Sequence, residues 1–329
     1  MSLQYEKPEE ENEPQITPEE FLREHKSTIR KRSFWAIGIG SLLIFVHLAL
    51  FAIADVDFSL LFRSIFFILG LFAVAGGFWG LYEARRATLQ DLIPTPEAIL
   101  FAQQAELSNP YFTYILVACI VVVTLCQMTI DLDQSVEIAG FVKSDFANKG
   151  EFWRILTSAT LHGGILHLYF NGQALYGFGS LIEFLSNRAH LAIVFLLAII
   201  GGGLLSLFLM PDVASIGASG GIMGLIGYLA IYGYRRKQQL PPDFLKSMLI
   251  NVGFIAAFGI IAYQIVDNFA HFGGLITGAV YGFIQVPRDL HKNPHHASVI
   301  TSFFGFVALA IFVLTSIFTV LLLLKFIKM

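Results

Sequence analysis

Four polar side chains on apolar stretches of the sequence have the residue types that nucleophilic catalysis requires. Ser219 stands in "GASGG", His271 follows in "VDNFAHFGG", and His167 and Asn171 lie in "HGGILHLYFNG". A serine hydroxyl becomes a useful nucleophile when a histidine within hydrogen-bond reach accepts its proton, and the imidazole of His271 can be that base. We therefore predict a Ser219–His271 dyad that forms a covalent intermediate.

Such a reaction also needs hydrogen-bond donors for the negative charge that develops on the attacked carbonyl oxygen. His167 and Asn171 are four residues apart, so they share one face of a helix and can point at one oxygen. The backbone N–H of Ser219 is a third donor, because amides at a helix start lack intrahelical partners. Gly217 and Gly220 let a substrate chain approach this serine closely.

The composition indicates that these residues act inside a membrane. Of 329 residues, 56% are hydrophobic and 14% are charged, with a mean hydropathy of +0.69, whereas soluble domains have about 25% charged residues. We predict an all-α, polytopic membrane helix bundle with nine spans, each close to the length that a bilayer requires. The predicted spans are Phe34–Ala54, Leu60–Tyr82, Tyr111–Ile130, Ile165–Phe184, Ala189–Met210, Gly217–Tyr234, Leu245–Tyr263, Phe269–Ile284 and Ser302–Phe326.

The orientation follows from the distribution of the 21 lysines and arginines. With the N-terminus inside, fifteen of them fall in inner segments and six in outer segments, in agreement with the positive-inside rule. Ser219, His162 and His271 then all lie near the extracytoplasmic face. Strongly polar side chains in membrane spans face the bundle interior and usually mark function.

The chain is predicted to have five segments. A flexible acidic cytoplasmic tail occupies residues 1–32, because its glutamates and prolines cannot bury enough apolar surface to fold. The other segments are a transmembrane hairpin, a cytoplasmic or interfacial linker, a catalytic core, and a cytoplasmic loop with a last transmembrane helix, at 33–83, 84–110, 111–286 and 287–329. Three roles are open for the hairpin: gating substrate entry, dimerisation, or bracing the bundle.

Each candidate residue also has a purely structural interpretation. The letters "GASGG" match G-x-S-x-G, but the hydrolase elbow needs a strand before the serine, and none is predicted. Small residues around Ser219 are typical of helix packing in membranes, and Gly274 and Gly278 are interpreted as such packing. His167 or His271 alone would be an ordinary hydrogen-bonded core histidine. Their conjunction with the serine and Asn171 favours catalysis.

The motifs "EFWR", "HGGILHLYFN", "GASGGIMG" and "AHFGGLITG" resemble those of the rhomboid intramembrane serine proteases, over roughly Tyr111 to Ile284. They follow the family's order on separate predicted helices. The resemblance implies a six-helix rhomboid-like core, to which this chain adds the N-terminal hairpin and one C-terminal helix. It implies Ser219 as the nucleophile and His271 as the general base, without an acidic third member. His167, Asn171 and the Ser219 amide would form the oxyanion hole.

The resemblance also implies several supporting residues. Trp153 and Arg154 match a Trp-Arg pair in the outer loop after the first core helix, and His162 matches a residue that hydrogen-bonds to that loop. Glu183 matches a structural glutamate in the same region. Asn268, at the start of the helix that carries the second motif histidine, is expected to be a further supporting residue.

Met223 and Asp267 stand at positions that bear on how His271 is held. Met223 stands where several rhomboids carry a tyrosine that packs on the catalytic imidazole, so the means by which His271 is held is left open. Asp267, four residues before His271, has the position of a triad acid. An aspartate just ahead of a helix is more often its cap, and we predict the cap.

These patterns predict an integral-membrane serine endopeptidase that cuts transmembrane protein substrates in the lipid bilayer, in or next to their spans. The alternative is a non-catalytic rhomboid-like protein that binds membrane clients for quality control, although relatives of that kind lack the serine or the histidine. A transporter would show internal repeats, which this sequence does not. No cofactor, metal site or nucleic-acid surface is predicted. The compact loops suggest a bacterial plasma (inner) membrane, and the oligomeric state is left open.

Overall fold

The computed structural model describes residues 17–92 and 96–327, so residues 1–16 of the predicted acidic tail lie outside the described residues. The chain divides into two compact units, Met1–Thr95 and Pro96–Met329. The described residues of both units form helices joined by loops, and their one β feature is an isolated bridge. The predicted all-α class is confirmed.

The first unit is a helical hairpin whose first helix is longer than predicted. It contains α1 (Pro18–Ile53), a 3₁₀ helix (Phe58–Arg63), α2 (Ile65–Arg86) and the short α3 (Leu89–Leu92). The later part of the predicted flexible tail is therefore the start of α1. A capping box causes this early start: the Thr17 hydroxyl accepts from the Glu20 amide, and the Glu20 carboxylate accepts from the Thr17 amide.

Small residues bring α1 and α2 of the hairpin into close contact. A Cβ atom at Gly40 would lie 2.7 Å from the backbone oxygen of Gly70, and one at Gly77 would lie 2.7 Å from that of Ser33. Such contacts are typical of helices that associate in a membrane, where backbones approach closely at small residues.

The second unit contains eleven α-helices within residues 96–327, besides two short 3₁₀ helices. They are α4 (Pro96–Glu106), α5 (Tyr111–Gln127), α6 (Leu132–Ala139), α7 (Lys143–Asn148), α8 (Arg154–Thr157), α9 (Ile165–Leu185), α10 (Arg188–Leu209), α11 (Ser219–Arg235), α12 (Phe244–Ile261), α13 (Asn268–Gln285) and α14 (Val299–Leu323). Each of the nine predicted spans corresponds to one long helix, namely α1, α2, α5 or one of α9 to α14.

Five of these helices are long and apolar enough by themselves to cross a membrane: α1, α2, α10, α12 and α14. The other four are shorter or more polar. α5 and α11 have 17 residues each, and α9 carries His167, Asn171 and Glu183. The chain is thus a polytopic membrane protein, while the count of nine spans stays a prediction.

Helix α11 lies at the centre of the second unit, with residues 220–229 all buried. It packs most extensively against α13 and also against α10. Two glycine pairs permit the contact with α13: a Cβ at Gly274 would lie 2.0 Å from the Gly220 oxygen, and one at Gly278 would lie 1.9 Å from the Gly224 oxygen. This packing brings the first turns of α11 and α13 side by side.

The outer loop, residues 128–164 between α5 and α9, is held by Arg154. This side chain is 5% exposed, and it donates to the Gly140 oxygen at 3.0 Å. It forms ion pairs with Asp145 at 3.4 Å and with Glu151, and its guanidinium lies 4.8 Å from the centre of the Trp153 ring. The Trp153–Arg154 pair is therefore held by contacts within this loop.

Candidate active site

Ser219 is the first residue of α11, where the chain emerges from an extended loop. The preceding Gly217 has a φ of +121°, a conformation that side chains disfavour. Its amide donates to the Ser158 oxygen at 2.9 Å, which ties this loop to the outer loop. The tight loop presents a half-buried hydroxyl at the end of a buried helix.

His271 meets this hydroxyl from the neighbouring helix. It lies in the first turn of α13, and its Nε2 is 2.7 Å from Ser219 Oγ. The two residues are 52 apart in sequence, so the contact requires the close approach of α11 and α13 that their glycines permit. A nucleophile and a base within hydrogen-bond reach satisfy the geometric requirement for proton transfer.

His167 lies beside the same loop in a defined tautomer. Its Nδ1 faces the backbone N–H of Gly163 at 3.1 Å and therefore accepts a hydrogen bond. In a neutral ring the other nitrogen, Nε2, then carries the hydrogen. Nε2 would lie 3.0 Å from a Cβ atom at Gly217, so its N–H lies close to the loop that precedes Ser219. Ser219 Oγ would lie 3.8 Å from the same Cβ position, so His167 Nε2 lies near Ser219 and is a candidate donor.

Asn171 lies one turn after His167 and is 6% exposed. Its side-chain amide donates to the His167 backbone oxygen at 2.9 Å, while its Oδ1 is buried without a hydrogen-bond partner. One amide hydrogen is thus engaged inside α9 and the second is available. The geometry makes Asn171 a weaker candidate donor than His167.

His162 has a structural environment. Its Nδ1 lies 3.0 Å from the Thr124 hydroxyl, which itself donates to the Ile120 oxygen, and its backbone amide donates to Gln127 at 2.9 Å. The Gln127 amide continues to Ser135 in the outer loop at 3.0 Å. This chain of hydrogen bonds joins α5 to the outer loop.

Glu183 and Asn268 also tie helices together. The Glu183 carboxylate accepts from the amide and hydroxyl of Thr113 at 2.7 and 2.8 Å, which caps the start of α5. Asn268 donates to the Gly259 oxygen at 2.9 Å and joins α13 to α12. Met223 is 4% exposed and lies in the main hydrophobic cluster.

Asp267 caps α13, as predicted. Its Oδ1 accepts from the Ala270 amide at 2.9 Å, and its Oδ2 accepts from the hydroxyls of Ser206 and Ser215. Burial by itself raises the pKa of Asp267, but these hydrogen bonds and the charge of Lys143 outweigh it and hold the pKa below the usual value. Both oxygens are thus used by partners other than an imidazole.

Sequence analysis missed Ser206, Ser215 and Lys143. A usable signal was present, because Lys143 is one of the few cations assigned to outer segments and Ser215 lies four residues before Ser219. Lys143 and Ser215 are 72 residues apart in the sequence, and a single sequence does not reveal contacts between such distant residues.

The helices and their polar end define a polytopic α-helical membrane protein with a serine–histidine pair at one end of its central helices. Comparison with known families agrees with this class. A sequence profile described as "Rhomboid domain" matches residues 149–288, a range that includes Ser219, His271, His167 and Asn171. The chain therefore carries a rhomboid domain over these residues.

Individual relatives support the same assignment. "RHOMBOID-like protein 6, mitochondrial" of Arabidopsis thaliana is 35% identical over 140 residues, which are 41% of this chain and 44% of that protein. "Rhomboid protease GluP" of Bacillus subtilis is 31% identical over 52% of this chain and 34% of its own length. "Inactive rhomboid protein 1" of Rattus norvegicus is 28% identical over 50% of this chain and 19% of its own. The chain thus spans less than half the length of these relatives, and they include proteins named as a protease and as inactive.

Proposed function

We propose that this chain is an intramembrane serine endopeptidase that cleaves membrane proteins in or next to their transmembrane segments. The observation that carries the proposal is the 2.7 Å contact between Ser219 Oγ and His271 Nε2. The Nε2–H of His167 beside this pair and the similarity to a protein named as a rhomboid protease support it.

In the proposed acylation step, Ser219 Oγ forms a bond to the substrate carbonyl carbon while His271 Nε2 accepts the hydroxyl proton. The carbonyl oxygen becomes an oxyanion, which the backbone N–H of Ser219, the Nε2–H of His167 and the second amide hydrogen of Asn171 stabilise. The peptide C–N bond then breaks, and His271 returns its proton to the leaving amine. An acyl-enzyme remains on Ser219.

In the proposed deacylation step, water attacks the acyl carbon while His271 accepts one of its protons. The ester bond to Ser219 Oγ breaks, that oxygen regains a proton from His271, and the carboxylic acid product leaves. Water must therefore reach a site within the membrane, which requires a polar cavity. The half-buried Ser219 and His271 are consistent with such access.

We further propose a cytoplasmic N-terminus and an active site that faces the extracytoplasmic side of a bacterial plasma membrane. The excess of positive residues in inner segments supports the orientation. The relatives come from bacteria and eukaryotes and include a mitochondrial protein. Accessibility of an N-terminal tag to added protease in spheroplasts tests the orientation, and fractionation tests the membrane.

A non-catalytic client-binding protein is the second candidate, since a protein named as inactive is among the relatives. Its function would require binding of membrane clients without cleavage. The contact between Ser219 and His271 favours the protease, because a binding protein has no need of a nucleophile and base within hydrogen-bond reach.

The deciding experiment is cleavage of a labelled transmembrane reporter by the purified chain in liposomes, with wild type beside Ser219→Ala and His271→Ala. We expect wild type to cleave the reporter and each variant to cleave it at least about 100- to 10,000-fold more slowly, which is the contribution of a general base. Ser302→Ala, a change at a half-buried serine in α14, is the control. Binding of the reporter by all four chains without cleavage would favour the client-binding function.

A further inference from the structure

A polar cluster, buried at two of its residues and half-buried at the other two, lies next to the proposed catalytic pair and is not used in the reaction. It consists of Lys143, Ser206, Ser215 and Asp267, and we call it the polar clamp. Asp267 Oδ2 accepts from both serine hydroxyls and lies 3.6 Å from Lys143 Nζ. Lys143 Nζ also donates to Ser215 Oγ at 2.9 Å and to the Val213 oxygen at 2.5 Å.

The polar clamp joins four separate segments of the second unit. Lys143 is the first residue of α7 in the outer loop, Ser206 lies in the last turn of α10, Ser215 lies in the loop before α11, and Asp267 caps α13. The backbone strengthens one of these links, because Phe141 and Ser215 exchange hydrogen bonds of 3.0 and 3.3 Å.

Two of the clamp residues stand directly before the proposed catalytic residues. Ser215 precedes Ser219 by four residues, and Asp267 precedes His271 by four. The hydrogen bond from Ser215 to Asp267 therefore links the chain entering the nucleophile to the chain entering the base. We infer that the polar clamp positions Ser219 against His271, so that its four members are positioning residues. This inference rests on the proposed protease function.

Glycine packing between α11 and α13 is not enough to produce this placement. The contact of Gly274 with Gly220 fixes how closely the helices approach, but α11 begins only at Ser219, and residues 213–217 form a loop before it. The anchor at Ser215 holds this loop to the cap of α13. A displacement of about 1 Å between reacting groups is enough to lower a rate by about 100-fold.

The burial of Lys143 supports a positioning role rather than a stabilising one. The residue is 2% exposed, and removing a charge from water is costly even when it is paired. Burial lowers the pKa of Lys143, and the nearby Asp267 opposes that effect. Apolar replacements of such pairs are often neutral or stabilising, so the distinctive contribution of this pair is a defined arrangement of the segments that it joins.

The test compares Asp267→Asn, Lys143→Met, the double variant and Ser215→Ala in the full chain. Asparagine is also a good helix cap, so Asp267→Asn removes the charge and retains the cap of α13. The matched control is Asp243→Asn with Lys246→Met, an ion pair of 3.8 Å whose side chains are 80% and 71% exposed.

The main measurement is the labelling of Ser219 by a fluorophosphonate, in which the rate constant and the saturating extent are determined separately. The extent counts folded sites, whereas the rate constant reports the reactivity of each site. We expect each single clamp variant to lower the rate constant about 10- to 100-fold at an unchanged extent. The double variant should lose less than the product of the single losses, because it leaves no unpaired charge. Reporter cleavage should show a lower kcat at an unchanged KM.

Hydrogen exchange provides a readout that does not depend on catalysis. Amides of residues 213–219 and 268–271 should exchange faster in the clamp variants and at the wild-type rate in the control. Wild-type labelling rate constants in all clamp variants would overturn the inference, and so would a lower extent at an unchanged rate constant.

The same data separate failure of this inference from failure of the proposed function. If the wild type is neither labelled nor cleaves a reporter, the protease proposal fails. In that case, unchanged hydrogen exchange in the clamp variants would also overturn the inference about the polar clamp. Faster exchange in both residues 213–219 and residues 268–271 would support the polar clamp as the link between these two segments.

Discussion

The two ends of the α10–α11–α13 bundle are both polar, yet their polar groups differ in burial and in hydrogen-bond partners. At one end Ser219 and His271 are half-buried and contact each other. At the other end Arg236, the residue after α11, is 1% exposed and donates to backbone oxygens of the segment after α13. Its acceptors are Pro287, Asp289, Leu290 and Lys292, at distances of 3.2 to 3.3 Å.

Aromatic hydroxyls continue this second, closed end. Tyr228 pairs with Ser186 at 2.8 Å, and Tyr281 lies 2.8 Å from Nδ1 of His190. Ser186 lies in the turn between α9 and α10, so its contact with Tyr228 holds α11 to that turn, while the contact of Tyr281 with His190 joins α13 to α10. Their polar atoms are directed at the protein rather than at solvent.

The difference teaches that a buried polar residue in a membrane protein is not by itself a sign of chemistry. Ionisable groups in spans are functional candidates by default, yet Arg236 and His190 have protein partners and belong to a brace. At the reactive end, His167, Ser219 and His271 are half-buried, and the proposed reaction uses them. Removing groups from each end should therefore give different losses.

Apart from changes to Ser219 and His271 themselves, the largest loss is expected from His167→Ala at the reactive end. Loss of one oxyanion donor costs about 100- to 1,000-fold in kcat, so cleavage of a transmembrane reporter should fall by that factor. Asn171→Ala should cost less, because its amide already donates to the His167 oxygen. Equal losses, or a larger loss for Asn171→Ala, would contradict this order.

Gly278→Ala is expected to lower both the stability of the protein and the reactivity of Ser219, because Gly278 lies between the two ends of the bundle. The added methyl would lie 1.9 Å from the Gly224 backbone oxygen and would force α11 and α13 apart. We expect a loss of about 3 kcal/mol in the free energy of unfolding and slower labelling of Ser219. Gly253→Ala is the control, since a Cβ atom there meets nothing within 4 Å. If Gly278→Ala and Gly253→Ala unfold at the same temperature in detergent, close packing at Gly278 does not stabilise the fold.

Arg236→Met should reduce stability and leave reactivity unchanged. Four backbone oxygens would lose their donor, at a cost of about 2 kcal/mol. The exposed neighbour Lys237 supplies the control, Lys237→Met. Thermal unfolding measures the loss, and the rate constant of Ser219 labelling by a fluorophosphonate should match that of wild type. A slower rate constant would mean that the closed end also contributes to catalysis.

The smallest effect is expected for Tyr281→Phe, which removes one hydroxyl from the brace. Loss of its hydrogen bond to His190 should cost about 1 kcal/mol, with no change in the labelling of Ser219. The double variant Tyr281→Phe with His190→Phe tests the source of this cost. If the double variant loses less stability in thermal unfolding than the sum of the two single losses, the hydrogen bond is the source.

The elements of this fold were predictable where hydrophobic length and turn residues define them. The nine predicted spans each correspond to one long helix, and the choice of Asp267 as a cap follows from its place before α13. The position of Ser219 at a helix start was predicted in the same way. These are local features, and local chemistry determines them.

The remaining features depend on contacts between distant segments. Arg236 meets residues 51 to 56 positions away, and Lys143 meets a serine 72 positions away. Neither pairing has a local pattern, so the sequence suggests only an inner loop and an outer loop. The early start of α1 is different, because the Thr17–Glu20 capping box is a local pattern, although the acidic composition around it predicts a flexible tail.

The length of α1 has a consequence for whatever is attached to its N-terminal end. Its 36 residues make a rod of about 54 Å at 1.5 Å per residue, against a hydrocarbon layer of about 30 Å. An upright α1 that crosses this layer therefore projects by about 24 Å, roughly the height of a small folded domain. The helix acts as a fixed spacer, and shortening it by whole turns would draw its N-terminal end toward the headgroups in steps of about 5.4 Å.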